Sequence, residues 1–439
     1  MPLANKKNIY DLGRETVGYL YLAVKTEKAQ TIKVAYGEHI DDGNVRYMID
    51  KRNFSLDFET SVGVSEFTEC FVKVAGRYFE VFAEDDVEII SIGMLPIIYP
   101  VTEKGSNLTG LDKRIYDVSV RTLRLCMGNH YEDCPWREQA LYVVDSINQM
   151  LCGYYAFEET EFQRESLLLI PKSVREDGLL EIVSPSVNTP AIPFFSLMYP
   201  VAVYDYIKYT GDKSVLKEVL PACIRIMENF KNRIDENYLI REFNLPYWNF
   251  YEWSKGFVNP PEEGDVDPEV QNYHLILNCS FLYAYERFKK LCEMENVNFD
   301  VDTEKMKAAI NKEFLNEETG LYYLWKDEEP LYTQLGNAFA LLVGLGDERT
   351  VKAIKDKEKL VPATLSMAAY VYNALLKFDE NEKDYILNDI RENYKYMLDC
   401  GATSFWETIK GQQDFENAGS LCHGWSAMPV YYYNLFGMI

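Results

Sequence analysis

Hydrophobic and polar positions change their period once along this chain. Up to about residue 105 the apolar residues come in short runs. Thr16–Val24 is rich in Tyr, Leu and Val, and Thr31-Ile32-Lys33-Val34-Ala35-Tyr36 alternates. Phe67–Val74, Tyr78–Phe82 and Val87–Ile92 come next, and turn signals such as Asp41-Asp42-Gly43-Asn44 and Glu84-Asp85-Asp86 separate the runs. Short strands at this spacing predict an antiparallel β-sandwich over residues 1–105. No charged cluster in this part has a catalytic look, so it is expected to serve by packing against the second domain.

From Lys104-Gly105-Ser106 onward the period becomes helical. The pattern predicts helices over Leu111–Met127, Arg137–Phe157, Phe162–Ile170, Ile192–Thr210, Ser214–Ile234 and Val270–Glu293. Further ones fall on Thr303–Phe314, Gln334–Leu345, Ala363–Phe378, Glu382–Asp399 and Ser420–Phe436, with a twelfth at Glu348–Lys355. Val270–Glu293 is apolar on almost every face, as an inner, buried helix is. Twelve helices paired as six hairpins make an (α/α)6 toroid over residues 106–439. The main alternative, an α-solenoid, needs a fixed-period repeat that the sequence lacks. The fold expected is therefore multidomain and mainly α, a β-sandwich followed by a six-hairpin barrel. Its longer loops, around Asp133, Ser184–Pro193, Asn244–Pro261 and Thr403–Gly419, are expected to gather at the mouth of the funnel.

Composition narrows the chemistry. The chain has 439 residues, more than one core usually serves. A net charge of −24 repels phosphate backbones and anionic lipid, which argues against nucleic-acid and membrane partners. Nine cysteines stand singly, without zinc-type spacing, and the four histidines form no ligand cluster, so no metal or other cofactor is expected. With no apolar leader behind Lys6-Lys7, a cytoplasmic location is expected. The many aromatics permit stacking on sugar rings, although core packing can absorb them.

Two segments carry paired acids. Asp133-Cys134-Pro135-Trp136-Arg137-Glu138-Gln139 sets acid, arginine and acid within six positions, where a helix is expected to begin. Gly401-Ala402-Thr403-Ser404-Phe405-Trp406-Glu407 puts another acid in a loop. Cleaving a glycosidic bond needs an acid on the leaving oxygen and a carboxylate on the opposite face, and Glu138 and Glu407 are the candidates. Trp248-Asn249-Phe250-Tyr251-Glu252-Trp253 brackets an acid with tryptophans, and His423 could donate to a substrate hydroxyl. Each has a plainer reading: a cap and a solvated first-turn acid, a surface acid, a loop pinned by buried rings, a histidine bonded to backbone.

The first two segments resemble motifs of the bacterial α-L-rhamnosidases of glycoside hydrolase family 78: DCPxRE, which carries the general acid, and GATxxWE, which carries the general base. Ser420-x-x-His423 is similar to that family's SxNH, and Trp248–Trp253 to a loop lining its sugar pocket. Tyr10–Tyr19, Tyr36-Gly37-Glu38 and Gly76-Arg77-Tyr78 are similar to its preceding β-sandwich. Tyr142 stands where the family has tryptophan, Cys422 where it has asparagine, Glu252 where it has aspartate, and Phe194 where members often carry an acid. The family's further domains at either end are not seen, so the chain reads as a compact version or a piece.

The resemblance implies inverting hydrolysis of terminal α-L-rhamnosides or a related sugar, with Glu138 as acid and Glu407 as base. Asp133, Arg137, Glu252 and His423 would hold hydroxyls, and Tyr142, Trp248, Trp253 and Trp406 would shape the pocket. The alternatives are an inactive carbohydrate-binding relative and an (α/α)6 enzyme of other specificity. The expected partner is a small carbohydrate or glycoside, with a homodimer left as an option.

Overall fold

The computed structural model describes residues 8–439 except 85, 188, 245, 255–256, 258–271, 328 and 357–358. It divides into two compact units. One comprises Met1–Ala140, Ala156–Glu158 and Arg391–Ile439, the other Leu141–Tyr155 and Glu159–Ile390. These units cut across the sequence division at residue 105, because both acid-bearing segments belong to the unit that holds the sheet.

The first unit is built on an antiparallel sheet of six strands: β1 (Ile9–Thr26), β2 (Gln30–Gly37), β3 (Ser55–Thr60), β4 (Gly63–Thr68), β5 (Val74–Phe82) and β6 (Val87–Pro96). Their order is β6-β1-β5-β2-β3, with β4 also on β1. The long β1 carries β6 along one edge of its second half. Along its other edge β5 pairs with the first half and β4 with the second. Gly18 lies at the change-over, where a Cβ would fall 2.1 Å from the Leu95 carbonyl oxygen, so no side chain fits. Alternation buries Val17, Leu20, Leu22, Val24, Ile32, Val34, Phe79 and Val81 on one side. Trp136, from outside the sheet, joins that core at 1% exposure, its ring centroid 5.3 Å from Phe54 and 5.7 Å from His39.

Twelve α-helices come after the sheet among the described residues. They are α1 (Gly110–Leu125), α2 (Val143–Ala156), α3 (Glu161–Leu169), α4 (Pro193–Thr210), α5 (Leu216–Lys231) and α6 (Leu275–Met294). The rest are α7 (Thr303–Phe314), α8 (Gln334–Leu342), α9 (Glu348–Lys355), α10 (Ala368–Phe378), α11 (Lys383–Asp399) and α12 (Pro429–Leu435). Within the second unit α4 packs on α6, α6 on α8 and α8 on α10. These are helices buried nearly all round: every residue of α8 is buried, as is α6 from Leu275 to Tyr285. In contrast α9, which opens with a capping box of Asp347 and Thr350, buries one stripe of Thr350, Val351, Ala353 and Ile354. Inner helices alternating with amphipathic outer ones is the arrangement of paired hairpins.

Three expected helices start late. The stretch expected to be helical from Arg137 begins at Val143, the one from Ala363 at Ala368, and the one from Ser420 at Pro429, after a 3-10 turn at Gly424–Ala427. Before α2 the chain closes a local loop between Asp133 and Ala140, whereas before α10 the Thr364 N–H donates to Glu252 and before α12 the Leu421 N–H donates to Glu38. The expected start of α6 at Val270, and part of the loop Asn244–Pro261, lie outside the described residues.

Candidate active site

Asp133 does not cap a helix. Its backbone N–H donates to the Ala140 carbonyl at 2.9 Å, and its carboxylate accepts from the Ala140 N–H at 2.9 Å. Gln139 adopts the left-handed region (φ 53°) and closes the loop onto Cys134. With Trp136 pinned in the sheet core, the residues on either side of it are fixed. Arg137 turns inward and pairs with Glu407 Oε2, both side chains being buried. Glu138, the next residue, turns outward. Its carboxylate lies 3.7 Å from the Arg52 guanidinium, and its side chain is 31% exposed.

Glu407 is held at several points. Its Oε2 accepts from the Ser420 N–H at 3.0 Å, and its own N–H donates to the Ser420 carbonyl at 3.0 Å. Trp425 Nε1 donates to the Glu407 carbonyl at 3.0 Å. Burial pushes the Glu407 carboxyl above the usual carboxylate range, against the pull of Arg137. Burial opposes the Arg137 charge, but Glu407, with Cys134, Glu138 and Glu38 around it, holds the guanidinium protonated. The result is a fixed, dry carboxylate more basic than an ordinary one.

His423 Nε2 lies 3.9 Å from Asp133 Oδ2, too far for a hydrogen bond. Burial, with Arg137 adding to it, drives the imidazole well below its usual pKa, so it is neutral at pH 7. Its ring stacks on Trp425 with centroids 3.6 Å apart. Trp406 is buried against Gly411, where a Cβ would meet its ring at 2.7 Å. One edge of it lines a cavity of about 370 Å³ together with Glu15, Glu38, Arg77 and Tyr78.

The other candidates sit in the second unit. Trp248, Phe250 and Trp253 form one cluster, with Phe250 4.7 Å from Trp253 and 5.0 Å from Trp248. Phe195 continues it, 6.0 Å from Phe250 and 6.4 Å from Tyr142. Glu252 is buried and accepts from the Trp253 N–H at 2.9 Å, the Thr364 N–H at 3.1 Å and the Thr364 hydroxyl at 2.5 Å. Burial lifts its pKa to about 7, the Thr364, Trp253 and Ser366 hydrogen bonds opposing. Phe194 is buried between Tyr251 and Phe339 as a core residue.

The sequence candidates thus fall into two groups. Asp133, Arg137, Glu138, Trp406, Glu407 and His423 lie in the first unit, and Tyr142, Trp248, Glu252 and Trp253 in the second. In the β part, where no charged cluster with a catalytic look is expected, Glu15 and Glu38 are buried acids, and Glu38 accepts from Ser420 and Leu421. Thr364 and Ser366, the partners of Glu252, were also unread. Nothing local marks Thr364.

A chain of paired helical hairpins with a buried Arg–Glu pair beside a second, open glutamate has the makings of a carbohydrate-cleaving protein. The chain belongs to the bacterial α-L-rhamnosidase six-hairpin glycosidase family, whose domain model matches residues 111–434, and the bacterial α-L-rhamnosidase concanavalin-like domain matches residues 2–81. A search among curated proteins gave no match. Among solved structures, the family 78 rhamnosidase of Bacillus sp. GL1 superposes with a TM-score of 0.83 at 24% identity, over 99% of this chain and 47% of that one. The rhamnosidase of Klebsiella oxytoca with rhamnose bound gives 0.81 at 20%, over 98% of this chain and 87% of that one. The α-L-rhamnosidase of Streptomyces avermitilis complexed with L-rhamnose gives 0.71 at 16%, over 98% of this chain and 42% of that one. The chain therefore spans under half of the Bacillus and Streptomyces proteins, and at these identities the likeness shows the fold.

Proposed function

We propose that this protein is a glycoside hydrolase that removes a terminal α-L-rhamnosyl unit, or a closely related sugar, with inversion. The observation that carries the reading is the Arg137–Glu407 pair with Glu138 next along the chain. Glu407 takes a proton from water, which attacks the anomeric carbon, while Glu138 protonates the leaving oxygen. The raised basicity of Glu407 suits a base, and Arg137 fixes its orientation. The open position of Glu138 suits contact with a ligand. Asp133 and His423, in the same unit as Glu407, serve as hydroxyl partners, and Trp406 as an apolar wall.

The test is hydrolysis of an aryl α-L-rhamnoside by the wild type, Glu138→Gln and Glu407→Gln, with the first-formed anomer followed by proton NMR. Each substitution should lower kcat by about 10²–10⁴-fold. The released sugar should have the opposite anomeric configuration to the substrate; retention would instead make Glu407 a nucleophile. A second reading, a binding protein without turnover, draws on Glu138 being paired with Arg52 rather than buried. Calorimetric binding of L-rhamnose with no hydrolysis of any aryl glycoside would favour it.

A further inference from the structure

Glu38 follows the last residue of strand β2, is 2% exposed and has no part in the chemistry above. Both its carboxyl oxygens lie 3.0 Å from Ser420 Oγ, and Oε2 also accepts from the Leu421 N–H. Ser420 Oγ is at the same time 3.0 Å from the Cys422 carbonyl oxygen and 3.3 Å from the Cys422 N–H. A hydroxyl has one hydrogen to donate. Were Glu38 ionised, that hydrogen would have to serve the carboxylate, and the Cys422 carbonyl would face bare oxygen lone pairs. With the proton on Glu38 every contact is satisfied. Glu38 O–H donates to Ser420 Oγ, Ser420 O–H donates to the Cys422 carbonyl, and the Cys422 and Leu421 N–H groups find acceptors. The same Ser420 exchanges backbone hydrogen bonds with Glu407, its N–H holding Oε2.

We infer that Glu38 is a neutral carboxylic acid that donates to Ser420 Oγ, and that it positions Ser420 against Glu407 while keeping a second negative charge away from the Arg137–Glu407 pair. It is a positioning residue and works through Ser420. The surroundings agree. Burial raises its pKa to about 8, with Leu421, Ser420 and Arg137 pulling the other way and Glu407 adding to the rise. The charged and titratable groups around it are few. Arg137 and Glu407 face it from the two acid-bearing segments, and Glu15 faces it from β1, with Arg77 and Arg121 near Glu15. His39, the next residue in the bend after β2, has its pKa lowered by burial, and Glu15 is raised well above the usual range by burial and by Glu38 itself. Ionising Glu38 would give Arg137 two carboxylates to serve and weaken its hold on Glu407.

The inference rests on the glycosidase reading for its activity test, so a direct test accompanies it. A carbon-13 NMR titration of glutamate-labelled protein, with the Glu38 signal assigned by its absence in Glu38→Gln, should show a protonated carboxyl at pH 6.5. An ionised one there overturns the inference whether or not the protein hydrolyses anything. In activity, Glu38→Gln keeps both hydrogen bonds without a titrating group. It should stay within about threefold of wild-type kcat at pH 7 and lose the wild type's decline above about pH 8. Glu38→Ala and Ser420→Ala should each lose about tenfold in kcat with little change in KM. A Glu38→Gln variant as impaired as Glu38→Ala at pH 7, with folding intact by circular dichroism, would mean that the charge is what matters, and the inference fails.

Discussion

Each unit of this molecule buries a glutamate, and the two handle the cost of burial differently. In the first unit Glu407 meets a guanidinium, so a counter-charge offsets the desolvation of its carboxylate. In the second unit the groups that hold Glu252 are hydroxyls and backbone N–H groups of Trp253, Thr364 and Ser366. There the charge itself becomes conditional on pH, with a pKa near 7. The difference teaches how to tell a carboxylate kept for its charge from one kept for its hydrogen bonds. The first must fail when its partner is removed. The second should tolerate neutralisation and betray itself only through pH.

The largest effect should come from breaking the first arrangement. Arg137→Leu leaves Glu407 buried without a counter-charge and should cost about 3–5 kcal/mol of stability, read from urea midpoints. The double variant Arg137→Leu/Glu407→Leu should recover most of that, since neither charge then remains. Equal destabilisation by single and double variants would mean that packing of the Arg137 stem, not charge, is what the site needs. Neither outcome depends on the protein's activity.

A smaller effect distinguishes Glu252. Its folded pKa lies above that of an unfolded glutamate, so its share of stability is complete below about pH 4.5 and is lost as pH rises through about 7. The melting temperature of wild type should therefore fall more steeply between about pH 5 and pH 8 than that of Glu252→Gln. Glu242, also lifted to about 7 by burial, contributes alike to both proteins and cancels in the difference. Parallel curves would show that Glu252 does not change its charge over this range.

The same contrast explains which features are legible in the chain and which are not. Helices such as α6 and α8 were legible because a helix that is apolar all round can only be buried. The starts of α10 and α12 are hidden for one shared reason. Residues before them give their backbone or side chains to partners far away: Ser420 to Glu38, 382 positions off, and Thr364 to Glu252, 112 positions off. Local periodicity carries no trace of such pairs. The motifs single out Glu138 and Glu407 as candidates, but they do not say which of the two is dry. That depends on Trp136 being pinned in the sheet, which turns Arg137 inward and Glu138 outward. Glu15 is hidden because an acid in an alternating strand looks like an outward residue, and Glu38 because an acid in the bend after a strand looks like an exposed turn residue.

The smallest effect on the fold, and the most telling about the second unit, should come from Trp253→Ala. Trp253 is 42% exposed, although its ring packs on Phe250 and Trp248. Removing a partly exposed ring should cost under about 1 kcal/mol of stability. Phe250→Ala, by contrast, empties a buried position and should cost about 3–5 kcal/mol. If the exposed face of Trp253 is a sugar platform, its loss should weaken binding of the substrate sugar about tenfold by calorimetry, the scale of one aromatic contact. Unchanged affinity would make the Trp248–Trp253 segment a loop anchored by its rings. Recognition would then fall to the charged first unit, and the two buried glutamates would differ in purpose as well as in chemistry.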